Sequence, residues 1–168
     1  RLSLGVQTLD PVFMKELGRD HNVSRALEAY KLVRNAGFKS VNLDLLFGAP
    51  GQQLCDWQDD LRKVVELDPD HLSTYCLTFE EDTALYAKLA KGAISIDPER
   101  EAEFYEWACD YSPRQGAGQY EISTYAKPGM ECRHNVNTRE MNDRIGYGPS
   151  ASCPIHGVRR KNFSTIEQ

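Results

Sequence analysis

The sequence has few of the patterns that usually mark a function in a chain of this size. Its five cysteines, Cys55, Cys76, Cys109, Cys132 and Cys153, are odd in number and widely spaced. No two form Cys-x-x-Cys, so neither a disulfide framework nor a zinc ribbon is indicated, and free thiols in a reducing compartment are expected. No apolar run approaches the roughly 18 residues of a membrane span, and nothing resembles a signal peptide. A cytosolic protein is therefore expected. Positive charge is in deficit: the formal net charge of -5 argues against a general nucleic-acid or anionic-membrane binder. The turn Gly48-Ala-Pro-Gly51 lacks the Lys-Ser/Thr of a phosphate-binding P-loop and reads as a strand-to-helix turn. The chain also opens with no methionine and no lead-in.

What is present is ordinary in bulk. The 168 residues are 40% hydrophobic and 27% charged, enough for one domain with a real core or for a piece of a larger one. The opening Arg1-Leu-Ser-Leu-Gly-Val-Gln7 alternates Leu2, Leu4 and Val6 with Ser3, Gly5 and Gln7, as a core strand does. Domains seldom begin inside a buried strand, so the chain is expected to be a fragment. The most informative stretch is Lys39-Ser-Val-Asn-Leu-Asp-Leu-Leu-Phe-Gly-Ala-Pro-Gly-Gln-Gln53. Alternation puts Val41, Leu43, Leu45 and Phe47 on an apolar face suited to helices, and Asn42, Asp44 and Leu46 on the other. A carboxylate in a core strand needs a partner or is neutralised. Near the C-terminal end of a parallel strand it stands where α/β proteins bind ligands. The alternative is that Asp44 caps the following loop.

Taken in order, Asp10-Pro11 starts a short helix to Leu17, with Gly18 suited to its C-terminal cap. The polar connector Arg19-Asp20-His21 follows. A second helix, capped by Asn22 or Ser24, carries Val23, Ala26, Leu27, Tyr30 and Val33 on one stripe and stops at Gly37. After the central strand, a helix bearing Leu54, Trp57, Leu61, Val64 and Val65 ends at Asp68-Pro69-Asp70, and residues 71–78 read as a third strand. The strands recur about 35 residues apart, the repeat of βα units in a parallel sheet or barrel. No glycine fingerprint follows the first strand, which favours a piece of an α/β barrel; a doubly wound sheet stays possible. Short helices over 83–91 and from Asp97-Pro98 come next, and beyond Gly116 the chain turns loop-rich. Residues 1–92 are expected to form a partial barrel, and 93–168 an accessory region.

Three stretches together resemble the radical S-adenosylmethionine barrel of the oxygen-independent coproporphyrinogen III oxidase-like family, haem chaperone branch. Arg1–Gln7 with Leu17-Gly-Arg-Asp-His21 resembles the fourth strand and its turn, and Val41–Gln52 the fifth strand. Gln119-Tyr-Glu-Ile-Ser, Ala126-Lys-Pro-Gly and Glu131-Cys-Arg-His-Asn135 resemble the segment that follows. The resemblance implies an α/β fold: the C-terminal half of a partial (β/α)6 barrel, then the start of an α+β accessory region. It implies S-adenosylmethionine contacts at Gln7, Arg19 and Asp44, and a [4Fe-4S] cluster held by a Cys-x-x-x-Cys-x-x-Cys loop that this stretch lacks. In that family the cluster cleaves S-adenosylmethionine reductively to a 5′-deoxyadenosyl radical. The fragment alone is then expected to be inactive.

His134 is the candidate haem ligand that the resemblance implies. The family usually has Tyr and Trp a few residues after His-Asn, where this chain has Thr138 and Arg139, and Gly-Ala-His where it has Ser150-Ala151-Ser152. For the whole protein the resemblance implies a haem chaperone, or alternatively oxidative decarboxylation of coproporphyrinogen III to protoporphyrinogen IX. Implied partners are haem or a porphyrinogen, an electron-donor protein, and a haem acceptor at the membrane. A zinc set of Cys132, His134, Cys153 and His156 is set aside, because Cys-x-His with Cys-x-x-His is not a usual zinc spacing.

Overall fold

The computed structural model describes residues 1–81 and 83–165. These fall into two compact units, residues 1–131 and the residues from Cys132 onward.

The first unit alternates strand and helix as the hydrophobic period requires. Strand β1 (Leu2–Gln7) leads through α1 (Pro11–Glu16) and α2 (Val23–Asn35) to β2 (Val41–Phe47). Helix α3 (Leu54–Glu66) then leads to β3 (His71–Cys76). The three strands lie side by side and parallel, with Ser3 beside Asn42 and Asn42 beside His71. Asp10 caps α1 by accepting from the N–H groups of Val12 and Phe13, with Pro11 preset in the first turn. Asn22, not Ser24, caps α2, because Ser24 already lies inside the helix. The third strand stops at Cys76, two residues before the span its composition suggests.

The apolar face is as the alternation implies. Val41, Leu43, Leu45 and Phe47 are buried against Tyr30 of α2, Trp57, Leu61 and Val64 of α3, and Phe104 and Ala108 of α5 (Pro98–Arg114). Trp57 is fully buried and donates its indole N–H to the Phe104 carbonyl at 2.9 Å, so its one polar atom is satisfied within the core. Between β3 and α5 runs the short helix α4 (Ala84–Ala90).

After α5 the structure departs from the loop-rich reading. Strands β4 (Gly118–Glu121) and β5 (Thr124–Ala126) form a hairpin, and β5 pairs antiparallel with β3, giving the order β1-β2-β3-β5-β4. Strands this short carry too little alternation to register as a period. The second unit holds α6 (Arg133–Arg139) and a hairpin of β6 (Ser152–Ile155) and β7 (Val158–Lys161). Its turn, His156-Gly157, has positive φ at both residues (50° and 74°), the geometry that matches strand twist. The segment around His134, read as a loop from sequence, is therefore helical from Arg133.

At the N-terminal ends of the strands, Asp70 accepts from the Val41 N–H at 2.9 Å and from Arg34, while Tyr30 donates to the Leu67 carbonyl at 2.8 Å. Against the upward push of burial, these donors hold the Asp70 carboxyl below its usual range. Asp60 of α3 is more deeply buried; it accepts from the Thr8 hydroxyl and from the Leu9 N–H at 2.9 Å. Burial nevertheless pushes its carboxyl up to about 6. The native state thus holds that proton more tightly than the unfolded chain. Asp60's contribution to stability is complete below the ordinary carboxyl pKa, about 4, and is lost as pH rises through 6. His71 has the opposite sense. Burial, with a smaller push from Arg1, holds its imidazole down to about 4, so its contribution is complete above about 6.5 and is lost as pH falls to 4. Replacing Asp60 by Asn should leave the His71 gain unopposed. In urea unfolding between pH 4 and 7, stability should rise more steeply with pH in D60N than in the unsubstituted protein; equal slopes would exclude the raised Asp60 pKa.

Candidate functional site

Opposite the helix-packed face, the sheet carries polar side chains. Asp44 stands midway along β2, half-buried, with Gly5 beside it on β1 and Ser73 beside it on β3. Both neighbours are small. The Asn42 amide donates to Asp44 Oδ1 at 2.7 Å, which supplies the partner that a carboxylate in a core strand requires. Asp44 does not cap the loop after β2. Gln52 does that instead: fully buried, it accepts with Oε1 from the N–H groups of Gly48 (2.8 Å) and Ala49 (3.2 Å). At Gly48 the glycine is needed, since φ is 80° and a Cβ would press on the Cys76 sulfur at 3.3 Å. Burial and the adjacent Glu101 push the Cys76 thiol up to about 12, which leaves it protonated and inert.

Gln7 ends β1 in a strained conformation, with φ of 71° where the β1–β2 register slips between Gly5 and Gln7. Its side-chain amide folds back over Gly5, where a Cβ would collide with it. Gln7, Gly5 and Arg19 line one polar cleft of about 390 Å³, together with Gly18, His21 and Arg25. Arg19 is exposed in the turn after α1, and His21 has a buried Nε2 with no hydrogen-bond partner. The structure therefore brings Gln7 and Arg19 into one cleft, and Asp44 flanks the Gly5 that lines it. His134 is exposed on the first turn of α6 in the second unit. In that unit Cys153 accepts from the Gly146 N–H at 2.9 Å, and His156 pairs with Asp143. Among the described residues no group of three or more His, Cys, Asp or Glu is gathered to hold a metal.

Sequence reasoning missed the residues behind Asp44. His71 Nδ1 lies 2.6 Å from Asn42 Oδ1, the Ser73 hydroxyl donates to the same oxygen at 3.0 Å, and His71 Nε2 lies 2.7 Å from the Tyr120 hydroxyl. An ionised carboxylate only accepts, so the Asn42 NH2 must face Asp44 and its oxygen must face His71. His71 therefore carries its proton on Nδ1, and Tyr120 donates to Nε2. The placement of Asn42 on the Asp44 face was readable from alternation; the contributions from β3 and β4 required the fold.

No protein-family model matches the chain. Among curated proteins it is 36% identical over 168 residues to Heme chaperone HemW of Bacillus subtilis, covering 99% of this chain and 44% of that protein. It is 39% identical over 157 residues to Heme chaperone HemW of Escherichia coli, covering 94% of this chain and 40% of that one. The chain is a homologue of the haem chaperones. Its whole length also superposes on the coproporphyrinogen III oxidase HemN of Escherichia coli, a radical SAM enzyme, with a TM-score of 0.78 at 23% identity over 42% of that chain. The homologue thus has an α/β fold matching the C-terminal portion of a radical SAM fold. It spans less than half the length of the haem chaperones it matches. Among the described residues no helix is long and apolar enough to cross a membrane.

The hydrogen-bond directions make a testable statement about His71. Long-range 1H–15N NMR should find Nδ1 protonated and Nε2 bare at pH 7, with the ring taking up its second proton only near pH 4. An Nε2-protonated neutral ring would contradict the assigned orientation of Asn42, and titration near 6.5 would contradict the effect of burial on His71.

Proposed function

We propose that this chain forms part of the S-adenosylmethionine-binding wall of a radical S-adenosylmethionine protein that handles haem. The observation that carries this reading is the cleft that Gln7, Gly5 and Arg19 line together, with Asp44 next to Gly5 in the sheet. The donor set suits the ligand. A carboxylate accepts from a ribose diol or offsets a sulfonium, the Arg19 fork holds a ligand carboxylate, and the Gln7 amide both donates and accepts. The absence of a Cβ at Gly5 lets the Gln7 amide fold over the strand and join the same wall. Bound S-adenosylmethionine supplies the one-electron chemistry of such proteins. The cluster that works beside it does not fit here: the five cysteines are dispersed, and none shares a metal-sized site with two other ligands among the described residues. Its thiolates belong to other sequence, and the role of this stretch is to bind and orient.

Isothermal titration of S-adenosylmethionine into the native-length protein tests the site. Replacing Asp44 by Asn or Arg19 by Ala should weaken binding by about 10- to 100-fold, the worth of a charge-assisted hydrogen bond, with little change in unfolding midpoint. Unchanged affinity in both would remove the proposal.

The haem-handling reading is preferred to coproporphyrinogen oxidation because the 36–39% identities are to haem chaperones, whereas the 23% identity to the oxidase speaks for the fold alone. His134 offers an exposed imidazole as the iron ligand. Haem added to the native-length protein should give a Soret band that shifts in His134→Ala, with affinity lower by about tenfold or more, and coproporphyrinogen III should remain unconverted. Turnover of the porphyrinogen would favour the oxidase.

A further inference from the structure

Asp44 is held from one side only. Asn42 occupies Oδ1, and Oδ2 has no protein partner among the described residues. Behind Asn42 the bonds run in a single direction. Tyr120 donates to His71 Nε2, His71 Nδ1 donates to Asn42 Oδ1, Ser73 donates to the same oxygen, and Asn42 Nδ2 donates to Asp44. Asn42, His71 and Ser73 are almost completely buried, so their polar atoms have no water with which to exchange these bonds. His71 and Tyr120 also meet edge to face, with ring centroids 5.5 Å apart, which fixes the imidazole plane. If the imidazole turned, or its proton moved to Nε2, Asn42 Oδ1 would lose a donor and the amide would be free to flip. A flipped amide would set a carbonyl oxygen against the Asp44 carboxylate. The chain thus fixes the orientation of Asp44.

We propose that Tyr120, His71 and Asn42 are positioning residues that aim the free Oδ2 of Asp44 at the hydroxyls of a bound nucleoside. The inference rests on the reading of Asp44 as an S-adenosylmethionine contact. It adds that the antiparallel hairpin appended to the sheet takes part in ligand binding, through Tyr120 of β4. A polar core network with a purely structural role would instead carry its effect in stability.

The test is equilibrium binding of S-adenosylmethionine to the native-length protein, followed by titration calorimetry alongside urea unfolding. Asn42→Leu and His71→Phe should each weaken binding about tenfold. His71→Asn, whose amide N–H takes the place of Nδ1–H, should return affinity to within about threefold of the unsubstituted protein whatever its unfolding midpoint. Tyr120→Phe, which deletes one hydroxyl and no packing, should weaken binding about threefold and carries the test if His71→Phe does not fold. Unchanged affinity in Asn42→Leu and Tyr120→Phe, or losses that follow the unfolding midpoint with no rescue by His71→Asn, would overturn the positioning role. Asp44→Asn separates this failure from that of the site itself. If it binds as the unsubstituted protein does, the ligand reading falls and the inference falls with it. If it loses binding while the other variants keep theirs, only the positioning role is lost.

Discussion

A half-buried carboxylate on the polar face of a sheet must be given a donor, and the donor at Asp44 is the amide of Asn42, two residues earlier on the same strand. That one bond determines others. It sets which end of the Asn42 amide faces β3, which fixes the proton of His71 on Nδ1, which makes Tyr120 the donor to Nε2. The side chains on the opposite face of the same strand, Val41, Leu43, Leu45 and Phe47, have no polar requirement and are packed by three helices. The two faces of β2 therefore do different work: one contributes apolar burial, and the other a directed set of hydrogen bonds.

The strands are also divided along their length. At their N-terminal ends, Asp70 gathers the Val41 N–H and the Arg34 guanidinium, and Lys127 pairs with Asp68. These contacts tie strand starts to helix ends. Beyond the middle of the strands, the bulge at Gln7 with its positive φ and the side-chain-free Gly5 leave space and strain instead. Strain of this kind persists only where the surroundings impose it, and here it turns an amide into a cleft. Ion pairs and backbone contacts gather at one end of the sheet and the polar cleft lies towards the other, the usual arrangement in parallel α/β folds.

The first unit's strands and helices were legible because each is long enough to show its period and is marked by a cap or breaker: Asp10-Pro11, Asn22, Gly37, Asp68-Pro69. The face on which Asp44 lies was legible for the same reason. The β4–β5 hairpin was not, because strands of four and three residues lack a period and its partner β3 is about 50 residues away. The donors that complete the Asp44 network come from β3 and β4, so no local pattern could link them. Nor did Gln52 stand out, although it closes the loop that Asp44 was considered to cap. His134 was placed in a loop because Glu131-Cys-Arg-His-Asn135 has no apolar stripe, and a seven-residue helix does not require one.

The comparison with the oxidase bears on where specificity resides. Its fold is shared over the whole of this chain at 23% identity, and a common fold is compatible with different reactions. On the proposed reading, the cleft at Gln7 and Arg19, with Asp44 beside Gly5, supplies what both kinds of protein need and distinguishes neither. The distinction must then fall on residues outside that wall. Within this chain the candidates lie from Cys132 onward, where Thr138, Arg139 and Ser152 stand at positions the haem chaperone resemblance would fill with two aromatic rings and an imidazole. Thr138 and Arg139 offer less apolar contact area than two aromatic rings would, so the difference between the two kinds of protein is to be sought in that unit.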